Sequence, residues 1–415
     1  MKCPYFFLLP FLCLFIISCS KDEESSSKDE EKTSDDPKSE VYFTVKTACE
    51  DDSSAMDNWI IVHGEDGQLL DYKTYETEEV LTFETSEEEI PAKFTVTTLE
   101  VREIQGFPSH ILESVTEVTK GSIWDNTCTV SPEPISNPTL GKFNLSVNNV
   151  PFQPVFYGFN ISDGIGISDA RFNTVSNGGF TDFEEQIDIK QNGDDYLISI
   201  FDGNGDFKYH FLDEYTNGAN ISLDYSEFAS YDSYLEFDVP PYERLFFTTT
   251  GYEDNSEKQY TMYTVLAPGF YSNPVDILKP GYLDRFSTYN IILIIDVLDG
   301  YTYSYTHLGP KPEAINIPEK PMFTIQNTDI HNFEFSTDLE DYISKSIGWS
   351  YSAEDPISDG TNTYWSVRSV KGYNPVIGDL PEDLLQKYPQ IHIQDLKYKH
   401  SVFRLNEEES IDFND

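Results

Sequence analysis

From residue 41 onward the chain alternates apolar and polar positions in short runs. Phe43 and Val45 take turns with polar neighbours, as do Phe94, Val96 and Thr98. Period two is the mark of a strand with one buried face. The spacing predicts strands at 41–48, 58–64, 69–75, 80–85 and 93–101, with a last pair at 110–118 and 122–130. Between the second and third lies Glu65-Asp66-Gly67, a hairpin signal, because glycine supplies the positive φ of a tight turn.

A second region begins at "GKFNLSVNNVPF" and carries the same pattern to the end of the chain. Strands are expected at 185–190, 196–201, 208–212, 220–225, 234–239, 244–252 and 259–267. Others follow at 289–298, 301–307, 322–327, 331–337, 346–352, 363–370 and 397–405. Helix is expected only at 336–346 and 380–390, where Pro381 suits a first helical turn. Three prolines in "SPEPISNPTL" make 131–140 a stiff linker. Four more in "GPKPEAINIPEKP" make 309–321 a candidate internal break. The acidic end, 407–415, reads as a frayed tail. The expected architecture is mainly β: a small N-terminal sandwich over 41–130, of immunoglobulin or transthyretin type, then a larger antiparallel β-rich region over 141–406.

Composition supports strands. Phe and Tyr number 29 and 27, and Gly and Pro, 23 each, fall at turn-like spacings. Lys and Arg total 27 against 73 Asp and Glu, a formal charge of −46. Such a chain repels phosphate backbones, which argues against nucleic acid as a partner.

The first 40 residues follow a different logic. Met1-Lys2 precedes an apolar segment from Tyr5 to Ile17, long enough for a signal peptide and short of the roughly 20 residues of a membrane helix. Ile16-Ile17-Ser18-Cys19 then resembles the lipobox of bacterial lipoproteins, with isoleucine where leucine is commonest. The resemblance implies cleavage after Ser18 and acylation of Cys19, which anchors the chain in a membrane. Lys21, Asp22, Glu23 and Glu24 resemble the export signal of Bacteroidota surface lipoproteins. That implies the outer face of the outer membrane. Residues 19–40 hold no apolar cluster and read as an acidic, disordered tether. "WIIVHGEDGQLLDY" resembles one hairpin of carboxypeptidase-regulatory or transthyretin-like sandwiches, and no site is carried over from it.

Candidate chemistry is sparse. The motifs G-x-S-x-G, H-E-x-x-H, G-x-x-x-x-G-K-[ST] and G-x-G-x-x-G are absent, and the seven histidines lie far apart. Cys49 and Cys128, at either end of the first structured segment, form a disulfide candidate for an oxidising compartment. In "DGNGDF", Asp202, Asn204 and Asp206 match the first three ligand positions of a calcium loop, but Phe207 stands where glycine is needed. A hairpin turn is the competing reading. "SDGIGISDA" at 162–170 reads as a loop. Tyr301, Tyr303 and Tyr305 share one strand face, and Trp349 and Tyr351 another. They are either core or rings on which sugars stack. No cofactor is expected apart from calcium at that turn. The function expected is non-catalytic binding or adhesion at the cell surface, toward a glycan or protein. The alternatives are an accessory subunit of an envelope complex, or a hydrolase acting on surface glycans or peptides.

Overall fold

The fold is that of a computed structural model describing residues 39–47, 55–76, 79–85, 90–104, 107–125, 137–151, 158–165, 173–177, 180–193, 195–202, 205–254, 258–268, 275–352, 361–373 and 376–414. The protein is mainly β. A sheet of 12 strands forms its spine. In spatial order its first half is Gln259–Pro268, Tyr242–Tyr252, Thr288–Val297, Tyr301–Gly309, Glu409–Asn414 and Lys397–Arg404. Its second half is Ser344–Ser352, Asn362–Val370, Phe107–Thr119, Lys93–Ile104, Ala55–Gly64 and Leu69–Thr74. Neighbours are antiparallel except at one join, where Phe107–Thr119 runs parallel to Asn362–Val370. Strands from both sides of the proline-rich linker therefore share one sheet, and the linker does not divide the sheet into two.

Over the N-terminal end of this sheet packs a three-stranded one, Val80–Thr85, Glu40–Lys46 and Ser122–Asp125. Phe43, Val45 and Phe83 meet Ile60, Val62, Phe94 and Val96 between the layers. The rings of Phe43 and Phe94 meet edge to face at 5.5 Å. The hairpin at Glu65-Asp66-Gly67 forms as expected, with Gly67 at φ +81° and its amide donating to the Gly64 carbonyl.

Two four-stranded sheets stack over the other end of the spine. One has the order Asn173–Asn177, Phe180–Lys190, Thr139–Pro151 and Asn220–Asp224. The other is Ala229–Ser230, Phe207–Leu212, Tyr196–Phe201 and Phe159–Ser162. Tyr196–Phe201 explains the order of layers. All six of its residues are buried, as in strands covered on both faces. Tyr196, Ile198 and Ile200 face Phe143, Leu145 and Val147, while Leu197 and Phe201 join the core built on Phe247, Leu293 and Tyr303. Close approach is used too: a Cβ at Gly281 would overlap the Tyr231 ring.

Three expectations are corrected. Residues 336–346 are not helical: Glu334–Thr337 is a strand, and Ser344 opens another. That second strand is hydrogen-bonded on both sides, to Asn362–Val370 and to Lys397–Arg404, and two ladders outweigh a weak helical propensity. The expected acidic tail is instead the Glu409–Asn414 strand, between Tyr301–Gly309 and Lys397–Arg404, with Ile411 and Phe413 buried. Residues 309–321 are an internal strap rather than a break. Ile315 is buried there, Tyr301 donates to the Pro318 carbonyl at 2.9 Å, and Ser344–Ser352, further along the chain, belongs to the same sheet as Tyr301–Gly309. The second expected helix does form, as Glu382–Lys387 behind Pro381.

Candidate functional site

The aromatic stripes lie inside the protein. Tyr301, Tyr303 and Tyr305 are at most 4% exposed and Trp349 is 3% exposed, so none offers a face to a sugar. Their polar tips are satisfied, as buried aromatics require. Tyr303 donates to the Glu409 carboxylate at 2.7 Å, and Trp349 donates to the Thr328 carbonyl at 2.8 Å. Burial, followed by the Glu409 charge, raises the Tyr303 phenol far above its ordinary range. Tyr351 is half-buried with its ring 4.5 Å from that of His392. The stacking platform is thus corrected for Tyr301, Tyr303, Tyr305 and Trp349, whose rings build the core.

Asp202 and Asp206 stand at the turn between Tyr196–Phe201 and Phe207–Leu212. Asp202 is buried; its carboxylate accepts from the Asp206 amide at 3.0 Å and from the Tyr225 hydroxyl. Asn204 lies outside the described residues, as do Cys19, Lys21, Asp22, Glu23, Glu24, Cys49 and Cys128. Among the described residues, no three His, Cys, Asp or Glu side chains are placed to hold a metal ion.

The surface that stands out is one face of the spine sheet. Cross-strand pairing puts Ser344 beside Arg404, Ser346 beside both Val402 and Arg368, and Ser304 beside Ser410. Directly paired residues point the same way, so these side chains share one face. It is opposite to the one carrying Tyr303, Tyr305, Ile347 and Trp349. Thr306, Ser344, Ser346, Ser410, Val402, Arg368 and Arg404 line a cleft of about 270 Å³ there, together with Lys345 and with Glu407, Glu408 and Glu409. At the far end of the same face Phe246, Leu266, Ile292 and Ile294 are half-buried.

The loop 405–408 forms one wall and separates this cleft from a second, of about 520 Å³, lined by Tyr305, His307, Glu313 and Asn316 among others. Glu408 and Glu409 line both clefts, and their carboxylates are hydrogen-bonded on the second side. Glu408 lies 2.7 Å from His307 Nδ1, whose Nε2 is 2.7 Å from the Pro310 carbonyl. Both ring nitrogens face acceptors, so only the doubly protonated ring donates to both. Glu409 pairs with Tyr305 across the strands and accepts from Tyr303 and Asn406. Glu407 is exposed, and its backbone carbonyl accepts from Arg404 at 3.1 Å.

Sequence reasoning did not single out Arg368 or Arg404. A signal was present: Arg102, Arg244 and Arg285 each adjoin an acidic residue in sequence, whereas "SVRSVKGY" around Arg368 has none. That both arginines meet on one face follows only from the register.

Compared with known proteins, the chain matches no protein-family profile and no curated protein. A similar solved chain is a Ca²⁺-stabilized adhesin that helps an Antarctic bacterium reach out and bind ice. It is 9% identical, with 90% of this chain and 98% of that one covered and a TM-score of 0.13. A likeness of that size carries no argument about this protein.

Proposed function

We propose that the protein is a non-catalytic binding or adhesion module, held by lipid on Cys19 at the outer face of an outer membrane. The observation that carries binding is the open, polar cleft on this sheet face, floored by hydroxyls and edged by two arginines and three glutamates. Anchor and address rest on "IISC" and "SKDEE". A lipid-anchored chain with a long acidic tether stands clear of the membrane, and a rigid stack of sheets presents its face to passing ligands.

Protease shaving of intact cells tests the location. Wild type is expected to be cut, and a variant with Lys21, Asp22, Glu23 and Glu24 replaced by alanine to be retained but protected. A wild-type protein that stays protected while an outer-face control is cut rules out surface display. Glycan and protein arrays then test binding. The half-exposed Phe246, Leu266, Ile292 and Ile294 favour one second reading, an accessory subunit with a protein partner on that face.

A further inference from the structure

We infer that the cleft beside the loop 405–408 binds a carboxylate-bearing glycan through Arg368 and Arg404, an inference that rests on the binding function proposed above. The described residues include five arginines. Three are neutralised by carboxylates of the chain itself: Arg102 by Glu100 at 2.6 Å, Arg244 by Asp296 at 2.8 Å, and Arg285 by Asp195 and Glu253 at 2.5 Å each. The other two have no carboxylate partner among the described residues. Among the described residues Arg404 donates only to the backbone carbonyls of Asn406 and Glu407, at 3.0 and 3.1 Å, and the Arg368 guanidinium has no partner there. In a chain with 73 acidic residues, two exposed guanidiniums without a carboxylate are the exception, and both line one cleft.

The geometry suits one anionic group held from two sides. Arg368 and Arg404 flank the Ser344–Ser352 strand, paired with Ser346 and Ser344 respectively. With strands about 4.8 Å apart and a rise of about 3.4 Å per residue, their Cα atoms lie about 12 Å apart. Two long side chains can converge over that span, and a guanidinium fork matches a carboxylate in a bidentate way. Around them stand Ser344, Ser346, Ser410 and Thr306, hydroxyls that can both donate and accept. The Glu407 carboxylate offers an acceptor for sugar hydroxyls. Glu408 and Glu409 also line the cleft, but their carboxylates are engaged by His307 and Tyr303, and among the described residues neither forms an ion pair with Arg368 or Arg404. The apolar lining is Val402, too little for the side chains of a peptide. Hydroxyls around a charged pair fit a sugar acid better.

The test uses the full chain on an array of oligosaccharides bearing uronic or sialic acids, each spotted beside its methyl ester, with poly-glutamate as the peptide control. The expected result is binding to an acidic glycan that falls at least tenfold on its methyl ester, and at least tenfold in Arg368→Ala and in Arg404→Ala, with partial retention in Arg368→Lys. Both arginines are exposed, so thermal melts of the variants should match wild type. Equal binding to ester and acid, or binding untouched by both variants, overturns the acidic-glycan site and leaves the binding module standing. Equal binding to poly-glutamate makes the cleft a peptide or general anion site and overturns the glycan assignment. Failure to bind any glycan or protein on the arrays removes both proposals.

Discussion

At Lys345 a charge is held where the fold gives it almost no water. The residue is 2% exposed, and burial alone pulls its ammonium down to about 8. Its nitrogen donates to the Tyr373 carbonyl at 2.5 Å and lies 5.4 Å from the Phe335 ring centre, and among the described residues no carboxylate answers it. A small apolar void lined by Ile330, Phe333, Ile347 and Trp349 adjoins it. Such a lysine binds fewer protons folded than unfolded between about 8 and its ordinary value of 10.5. Its penalty is therefore full below pH 8, and stability rises with pH through that window. Lys345→Met should stabilise the protein at pH 7 by about 1–3 kcal/mol, because an apolar side chain replaces a buried charge without a counter-ion. The variant should also lose the gain seen in wild type between pH 8 and 9.5. Urea unfolding at both pH values checks this. A methionine variant less stable than wild type at pH 7 would mean that the Tyr373 hydrogen bond outweighs the burial.

Among the elements, the Glu409–Asn414 strand shows how charge can hide a strand. "SIDF" alternates, but Ser410 and Asp412 take the outward positions and the preceding run of glutamates suggests solvent. Ile411 and Phe413 face the core shared with Phe403 and Tyr303. The strand also closes the gap between Tyr301–Gly309 and Lys397–Arg404, so losing it would split the spine sheet. Ile411→Asp should abolish cooperative unfolding, because an unpaired carboxylate would enter a site with no exposure. Hydrogen exchange in wild type should protect the amides of 410–413 as strongly as those of 290–296. Fast exchange at 410–413 alone would return the segment to the status of a tail. The missed helix teaches the same lesson. Local spacing in 336–346 is ambiguous, and pairing on both sides of Ser344–Ser352 decided it.

Across the whole molecule, a formal charge of −46 acts against compactness, because like charges repel at distances that salt controls. The screening length falls from about 30 Å at 0.01 M salt to about 10 Å at 0.1 M. The melting temperature should therefore rise over that range. A fall would show that exposed pairs such as Lys46–Asp125 at 2.6 Å and Lys120–Glu40 at 2.8 Å outweigh the general repulsion. Binding at the arginine cleft should move the opposite way, weakening as salt screens the guanidiniums. Stability and binding are thus separable by one titration.

The sequence by itself determined that the chain is built of strands, and where most of them run. Period-two patterning is local, and Phe43, Val45, Phe94 and Val96 carry it without help from distant residues. The sequence also carries the resemblance to a lipoprotein signal, a linear motif read before folding. Only the tertiary structure decided what each strand faces. Tyr303 and Trp349 look alike in sequence whether buried or displayed, and the sheets packed over them make them core. Arg368 and Arg404 stand 36 residues apart in the chain, and it is the shared pairing with Ser344–Ser352 that brings them to one cleft. Registers between distant strands depend on how whole faces fit together, and that information is spread over the fold rather than written at either arginine.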